Sequence, residues 1–179
     1  TDLPNVLADE MLAVYRRLGG IQPEPVLRPG GWDLAFHGAL VVELDEELHF
    51  NRYRALTLSA SWSSALPWRG TYDDYCDAEE QVCLSAGSWG KRWTNASCER
   101  MFGQAGPAGE LDGAGAPRWK QRAMYDALKD VTPSIVSRVR MSRVSVHDTV
   151  EGHRLWDILE GAAAASHGAV RALVESRIA

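Results

Sequence analysis

The sequence predicts one mixed α/β (α+β) domain spanning residues 1–179, because three kinds of local pattern follow one another along the chain. Apolar residues recur at helical spacing near the N-terminus and alternate along residues 32–45. They return to helical spacing over residues 119–129, ahead of a segment rich in β-branched residues. With 45% hydrophobic and 24% charged residues, the composition is that of a globular protein, which excludes a collagen, a coiled coil and a largely disordered chain.

The first helix is predicted from one apolar face and a glycine stop. Four apolar residues share that face: Leu7, Met11, Val14 and Leu18. Gly19 and Gly20 follow at once, and glycine after the last residue of an apolar helical repeat is typical of a helix end.

Alternating residues predict a β-hairpin in residues 32–45, with a three-residue turn at His37-Gly38-Ala39. If both apolar sets face one core, the register pairs Phe36 with Leu40, Leu34 with Val42, and Trp32 with Leu44. This register sets Asp33 opposite Glu43, with Asp45 two residues further along the same face.

The other elements follow from weaker patterns, which are helical spacing, β-branched runs and glycine or proline breaks. They are a helical turn or ordered loop at 46–58, an irregular insertion with short helices at about 59–118, a helix at 119–129, a strand at 135–146, and a C-terminal helix at about 149–178 that Gly161 or Gly168 could interrupt.

Charge and cysteine content restrict the class of protein. The formal net charge is −5, which excludes an overall basic coat for nucleic acid but allows a local basic patch. No apolar run approaches the roughly 18 residues of a membrane span, and no leader-like pattern opens the chain. Three cysteines argue against a disulfide framework, so we expect a cytoplasmic protein with no membrane partner.

Three carboxylates of the predicted hairpin share one face: Asp33, Glu43 and Asp45. Mg²⁺ prefers oxygen ligands and retains several waters, so two or three convergent carboxylates suffice to hold it. The pattern also fits solvated acids on an exposed sheet face, and spacing alone does not separate the two.

Residues 30–50, GGWDLAFHGALVVELDEELHF, resemble the core hairpin of the PD-(D/E)XK nuclease superfamily. The resemblance is to the branch similar to very-short-patch repair endonucleases, where a strand ending VELD runs shortly into HF. It covers residues 5–55 and 118–147. It implies a restriction-endonuclease-like α-β-β-β-α-β core and a DNA endonuclease that uses Mg²⁺ or Mn²⁺.

The resemblance also implies roles for individual residues. Asp33 and Glu43 would be the metal-binding acids, and Leu44 would lend its backbone carbonyl to the metal. Asp45 occupies the position of the motif lysine, which is a departure from the family pattern. Lys120, at the start of the next core helix, would replace that lysine, and the alternative is a solvated residue at a helix start.

Five further residues have a functional and a plain interpretation. His49 could hold a phosphate or carry a proton, or it could pack or cap. Glu10 could add an acid to the site, as such helices do in the family, or lie on the surface. Arg52, Arg54 and Arg122 could contact DNA phosphates or only solvate the surface.

The cysteines do not have the spacing of a zinc site. Cys76 and Cys83 would lie two helical turns apart, about 10 Å, which is too far for thiolates sharing one ion. The sequence has no CxxC partner for Cys98. The spacing therefore argues against a structural zinc and favours buried free thiols.

The sequence supports three hypotheses about function. The first is a metal-dependent DNA endonuclease of restriction, defence or repair, with DNA as its partner. The second is a nuclease-like fold without activity that binds DNA or a protein, which the missing lysine and the charge of −5 favour. The third is a protein-interaction module built on the C-terminal helix. A homodimer or a larger defence or repair complex is compatible with the first two.

Overall fold

The computed structural model describes residues 5–37 and 39–179, so Gly38 of the predicted turn lies outside the described residues. Helix α1 is Asn5–Arg17. Its buried face contains Met11, Val14 and Tyr15, followed by Leu18, and Gly19 at φ +85° ends it as predicted.

The predicted hairpin register is confirmed. Strand β1, Leu34–Phe36, pairs antiparallel with β2, Leu40–Asp45, and Leu34 lies opposite Val42. The prediction of one apolar, buried face is wrong: Leu34 and Phe36 are 51% and 54% exposed. Strand β1 is an edge strand, whereas β2 lies between two neighbours and is buried on both faces.

Helix α7, Pro117–Asp130, crosses over to strand β3, Arg140–Ser145, which runs parallel to β2. The sheet order is therefore β1-β2-β3. Within residues 5–37 and 39–179, two strands precede α7 where an α-β-β-β-α-β core has three. The fold is mixed α/β with a small sheet, as the sequence predicts at the level of class.

The insertion consists of short helices, as predicted. They are α2 Arg52–Leu58, α3 Arg69–Ala78, α4 Glu80–Gly87, α5 Gly90–Trp93 and α6 Ala96–Phe102, with 3-10 turns at Glu47–His49 and Ser61–Ala65. Trp68 and Trp93 are buried, so these two tryptophans of the insertion fill the core.

The predicted single C-terminal helix is wrong. Residues 149–178 instead contain β4 Thr149–Val150, β5 His153–Arg154, α9 Leu155–Leu159 and α10 His167–Ser176. A further short helix, α8 Thr132–Ile135, lies between α7 and β3. Glu151 and Gly152, both at positive φ, form the β4–β5 turn, and Gly161 at φ +75° follows α9. Val170 and Leu173 of α10 pack with Val42 and Val144 of the sheet. This packing accounts for the apolar side of the helix without a partner protein.

The two faces of the sheet carry different side chains, because successive residues of a strand point to opposite faces. Val42 and Val144 face α10, whereas Glu43, Asp45 and Arg143 face the other layer, which includes α7. Charged side chains of β2 and β3 therefore lie against a helix. Among the described residues, no helix is long and apolar enough to cross a membrane.

His147 follows β3 and packs against the rings of Phe50 and Tyr75, at centroid distances of 5.1 and 5.6 Å. Burial lowers the pKa of its imidazole, and the nearby Glu79 carboxylate only partly opposes this.

A lowered imidazole pKa makes folding stability depend on pH. Below about pH 6.5 the unfolded chain takes up a proton that folded His147 resists. We expect the free energy of unfolding to fall as the pH drops below that value, and the fall to be smaller in His147→Gln. Urea unfolding at pH 7.5 and 5.5 measures both, and an equal fall in the two proteins would contradict the assignment.

Candidate functional site

Two acids and a lysine meet where β1 begins beside β2. The Lys129 ammonium, from α7, lies 2.5 Å from Glu43 Oε2. The backbone N–H of Asp33 donates to Glu43 Oε1 at 3.2 Å, and the N–H of Leu44 donates to Asp33 Oδ2 at 3.0 Å. The sequence predicts that Asp33 and Glu43 are neighbours, and these bonds place them together. We call these three residues the acid–lysine site.

The acids of this site have different surroundings. Glu43 is 2% exposed, whereas Asp33 is exposed to solvent. Burial raises the pKa of Glu43; the Lys129 hydrogen bond acts against that, and the Asp33 charge adds to it. The Lys129 ammonium also lies 5.8 Å from the centre of the Trp32 ring. The lysine is thus held against Glu43 by an ion pair and an aromatic face.

Asp45 belongs to a separate, buried network centred on Arg143 of β3. Arg143 Nη1 lies 2.6 Å from both carboxylate oxygens of Asp45, and its Nε donates to Asp130 at 2.9 Å. Asp126 Oδ1 lies 3.4 Å from Arg143 Nη1. The side chain of Arg143 is fully buried. Asp45 therefore pairs with an arginine from the next strand and does not take the role of a motif lysine.

Two more cations complete this network. Arg54 Nη1 lies 2.8 Å from Asp130 Oδ2, and His49 Nδ1 lies 2.8 Å from Asp126 and 3.2 Å from Asp45. Burial alone would raise the pKa of Asp126, but His49 and Arg143 outweigh it, and that pKa lies well below its usual range. Arg54, Arg143 and the His49 imidazole thus surround the three carboxylates, which offsets much of the cost of burying charge.

Asp45, His49 and Asp126 could also hold a metal ion, because one ligand atom from each lies within 4.8 Å of the others. Arg143 already binds both carboxylates, and the group is covered on all sides except for a partly exposed His49. A metal that activates a water needs an open coordination position. A metal ion held by this group would therefore be enclosed by the protein, as structural ions are.

Two predicted members of the active site lie elsewhere. Lys120 is 7% exposed, and its ammonium donates to the carbonyl of Ala114 at 2.8 Å, so it does not replace the motif lysine. Glu10 accepts a hydrogen bond from Ser61 at 3.1 Å, and no contact among the described residues joins it to the acid–lysine site. His49 does lie beside Asp45, as its spacing predicts, and it belongs to the buried network.

The prediction that three arginines, Arg52, Arg54 and Arg122, contact DNA phosphates is wrong for Arg54 and Arg122. Arg54 is fully buried against Asp130, and Arg122 is half-buried, with its guanidinium donating to the carbonyl of Leu48 at 3.1 Å. Arg52 is 48% exposed but paired with Glu80 and Asp112. Carboxylates and carbonyls of the protein already occupy the donors that were expected to reach DNA.

The cysteines are buried free thiols, as the spacing indicates. Burial raises the pKa of both Cys76 and Cys83 to about 12. Thiolate is the form that binds metal, and these two groups are protonated at neutral pH. Among the described residues, the candidate metal group contains no cysteine.

Sequence reasoning missed Lys129, Arg143, Asp126 and Asp130. One signal was present: Asp126 lies on the predicted helix and Asp130 follows directly after it. Their spacing of four residues puts two acids on one face if the helix continues through Asp130, as it does in the structure. Arg143, which contacts both acids, lies in a predicted strand. The sequence does not show that Arg143 is buried, because that depends on which side of the sheet α7 covers.

Comparison with known proteins gives a family and no function. No curated protein matches the chain, and no solved structure matches it. The model of a family of unknown function, DUF7255, matches residues 13–161. Because this match spans well over half of the 179 residues, the chain belongs to that family of unknown function.

Proposed function

We propose that the protein is a metal-dependent DNA endonuclease that hydrolyses phosphodiester bonds in defence or repair. The observation that carries the proposal is the acid–lysine site. A PD-(D/E)XK motif needs two acids and a lysine, and this sequence has Asp45 where the lysine belongs. Lys129, from the crossover helix, brings an ammonium to Glu43 from a different part of the chain.

The residues fit a divalent cation. Asp33 and Glu43 carry two negative charges against the one positive charge of Lys129, which leaves a net charge of −1 for a cation to meet. Asp33 is exposed, so one side of the site is open to water and substrate. The N–H of Leu44 faces Asp33, and the carbonyl of a strand residue points to the same side as its N–H.

Each residue then has a defined role. Asp33, Glu43 and the Leu44 carbonyl would hold Mg²⁺ or Mn²⁺, which supplies charge neutralisation and an activated water. Lys129 orients the Glu43 carboxylate and offers an ammonium to the charge that develops on the phosphate. Arg138 and Arg140 are exposed and have no carboxylate in ion-pair distance among the described residues, so they are our candidates for phosphate contacts.

The test is nicking of supercoiled plasmid with Mg²⁺ or Mn²⁺, together with Mn²⁺ titration by calorimetry. Glu43→Gln should lower the nicking rate at least about 100-fold and weaken Mn²⁺ binding, because it removes a charged ligand. Glu46→Gln, an exposed acid three residues along, is the matched control and should leave both unchanged. Nicking that survives Glu43→Gln at full rate would refute the proposal, and thermal melting checks that each variant folds.

A nuclease fold that binds DNA without cutting it is the second candidate. Both oxygens of Glu43 already accept bonds from protein groups, so the buried carboxylate is neutralised without a metal. In that case the wild type would bind DNA, would not nick it with either metal, and would show no Mn²⁺ affinity that depends on Glu43.

A further inference from the structure

A cavity of about 460 Å³ lies at the carboxyl ends of the parallel strands, and none of the residues that line it belongs to the acid–lysine site. Glu47 lines it from the turn after β2, and Val146 lines it from the end of β3. Ligands of open α/β sheets bind at this end of parallel strands. The volume falls within the range of roughly 300–1,000 Å³ that small-ligand pockets occupy.

The walls of this cavity combine aliphatic side chains with one aromatic platform. Val82 and Ala86 of α4 form one side, and Trp156 of α9 forms another. The backbone N–H of Trp156 donates to the Val146 carbonyl at 3.1 Å, yet the residue is 47% exposed. The main chain is held at the end of the sheet while the indole remains open to an occupant.

Polar groups of both signs surround the platform. Arg154 is exposed at the rim and has no carboxylate in ion-pair distance among the described residues. Glu47 and Asp157 add two hydrogen-bond acceptors. His147 lines the same cavity; its side chain is 8% exposed, and its buried Nε2 has no hydrogen-bond partner in the described part of the chain.

We propose that this cavity receives one unpaired nucleobase of a nucleic-acid strand. The base stacks on Trp156, its exocyclic amine donates to Glu47 or Asp157, and the adjoining phosphate pairs with Arg154. The charged residues of the cavity favour this ligand. Two acids, Glu47 and Asp157, outnumber the one arginine, Arg154, so a free anion is disfavoured inside the cavity. These charges suit a neutral ring with amine hydrogens whose phosphate stays at the rim.

The cavity is close enough to the acid–lysine site for one strand to reach both. Glu47 follows Glu43 by four residues, so their Cα atoms are at most about 14 Å apart. That distance corresponds to roughly four nucleotides at about 3.4 Å each. The inference rests on the proposed function for the class of ligand, nucleic acid, but none of its residues belongs to the acid–lysine site.

The experiment measures binding without cleavage. A ten-nucleotide single strand containing one 2-aminopurine is titrated with wild-type protein in EDTA, and the fluorescence of that base is followed; the same strand with an abasic site in place of this base is the competitor. Stacking on an aromatic side chain contributes about 1–3 kcal/mol per base, so Trp156→Ala should weaken binding about 5- to 150-fold. Trp156→Phe should retain most of the affinity because it keeps an aromatic face.

Trp89→Ala is the matched control, since Trp89 is 53% exposed and does not line the cavity. Its affinity should equal that of the wild type. The inference is overturned if the two alanine variants lose affinity equally, if the abasic strand competes as well as the intact one, or if the wild type does not bind. Binding that depends on Trp156 in a protein that never nicks plasmid would refute the nuclease proposal and leave the base pocket standing.

Discussion

Replacement of Arg143 by methionine should destabilise the protein by about 3–5 kcal/mol, because it leaves three buried carboxylates with one guanidinium and one imidazole. Arg143 is fully buried and contacts Asp45, Asp126 and Asp130. Domains of this size are stable by roughly 5–15 kcal/mol, so the loss is a large fraction of the whole. Urea unfolding followed by circular dichroism measures it.

Arg140→Met is the control for this prediction, since Arg140 is an exposed residue of the same strand. Its effect should stay within about 0.5 kcal/mol, as for most surface substitutions. Adding Asp45→Asn to Arg143→Met should recover part of the loss by removing one of the stranded charges. Equal stability of the Arg143 and Arg140 variants would show that the network does not hold the sheet to α7.

On the proposed nuclease function, Lys129→Met should lower plasmid nicking by about 10²- to 10³-fold, the usual cost of losing one group that stabilises transition-state charge. Loss of the ammonium also leaves Glu43 without its cation, so the carboxyl pKa should rise further. The initial nicking rate under saturating Mn²⁺ is the measurement.

Lys120→Met tests whether the proposed active-site ammonium belongs to Lys129, as the structure suggests, or to Lys120, as the sequence predicts. The two lysines lie on the same helix and are similarly covered, with 7% of Lys120 exposed and 11% of the Lys129 side chain. Lys120 contacts the Ala114 carbonyl and the Tyr53 ring, not an acid. Activity should survive Lys120→Met and not Lys129→Met, and the reverse result would place the active site elsewhere.

Local patterns were enough to predict the elements whose stability depends on near neighbours. The apolar face of α1 and the register of Leu34 with Val42 follow from residue spacing, because the apolar pattern of a helix or a hairpin repeats every few residues. The same alternation could not tell that β1 is an edge strand with Leu34 exposed, since strand order depends on the distant β3.

The sequence by itself determined the mixed fold class, the pairing of Asp33 with Glu43 and the free thiols. Only the tertiary structure decided which lysine meets the acids and what Asp45 does. Lys120 and Lys129 are nine residues apart, about two and a half helical turns, so they project from opposite sides of α7. The way α7 packs on β2 and β3 therefore determines that Lys129, and not Lys120, contacts Glu43. The same packing places Asp126 and Asp130 beside Arg143, which also pairs with Asp45.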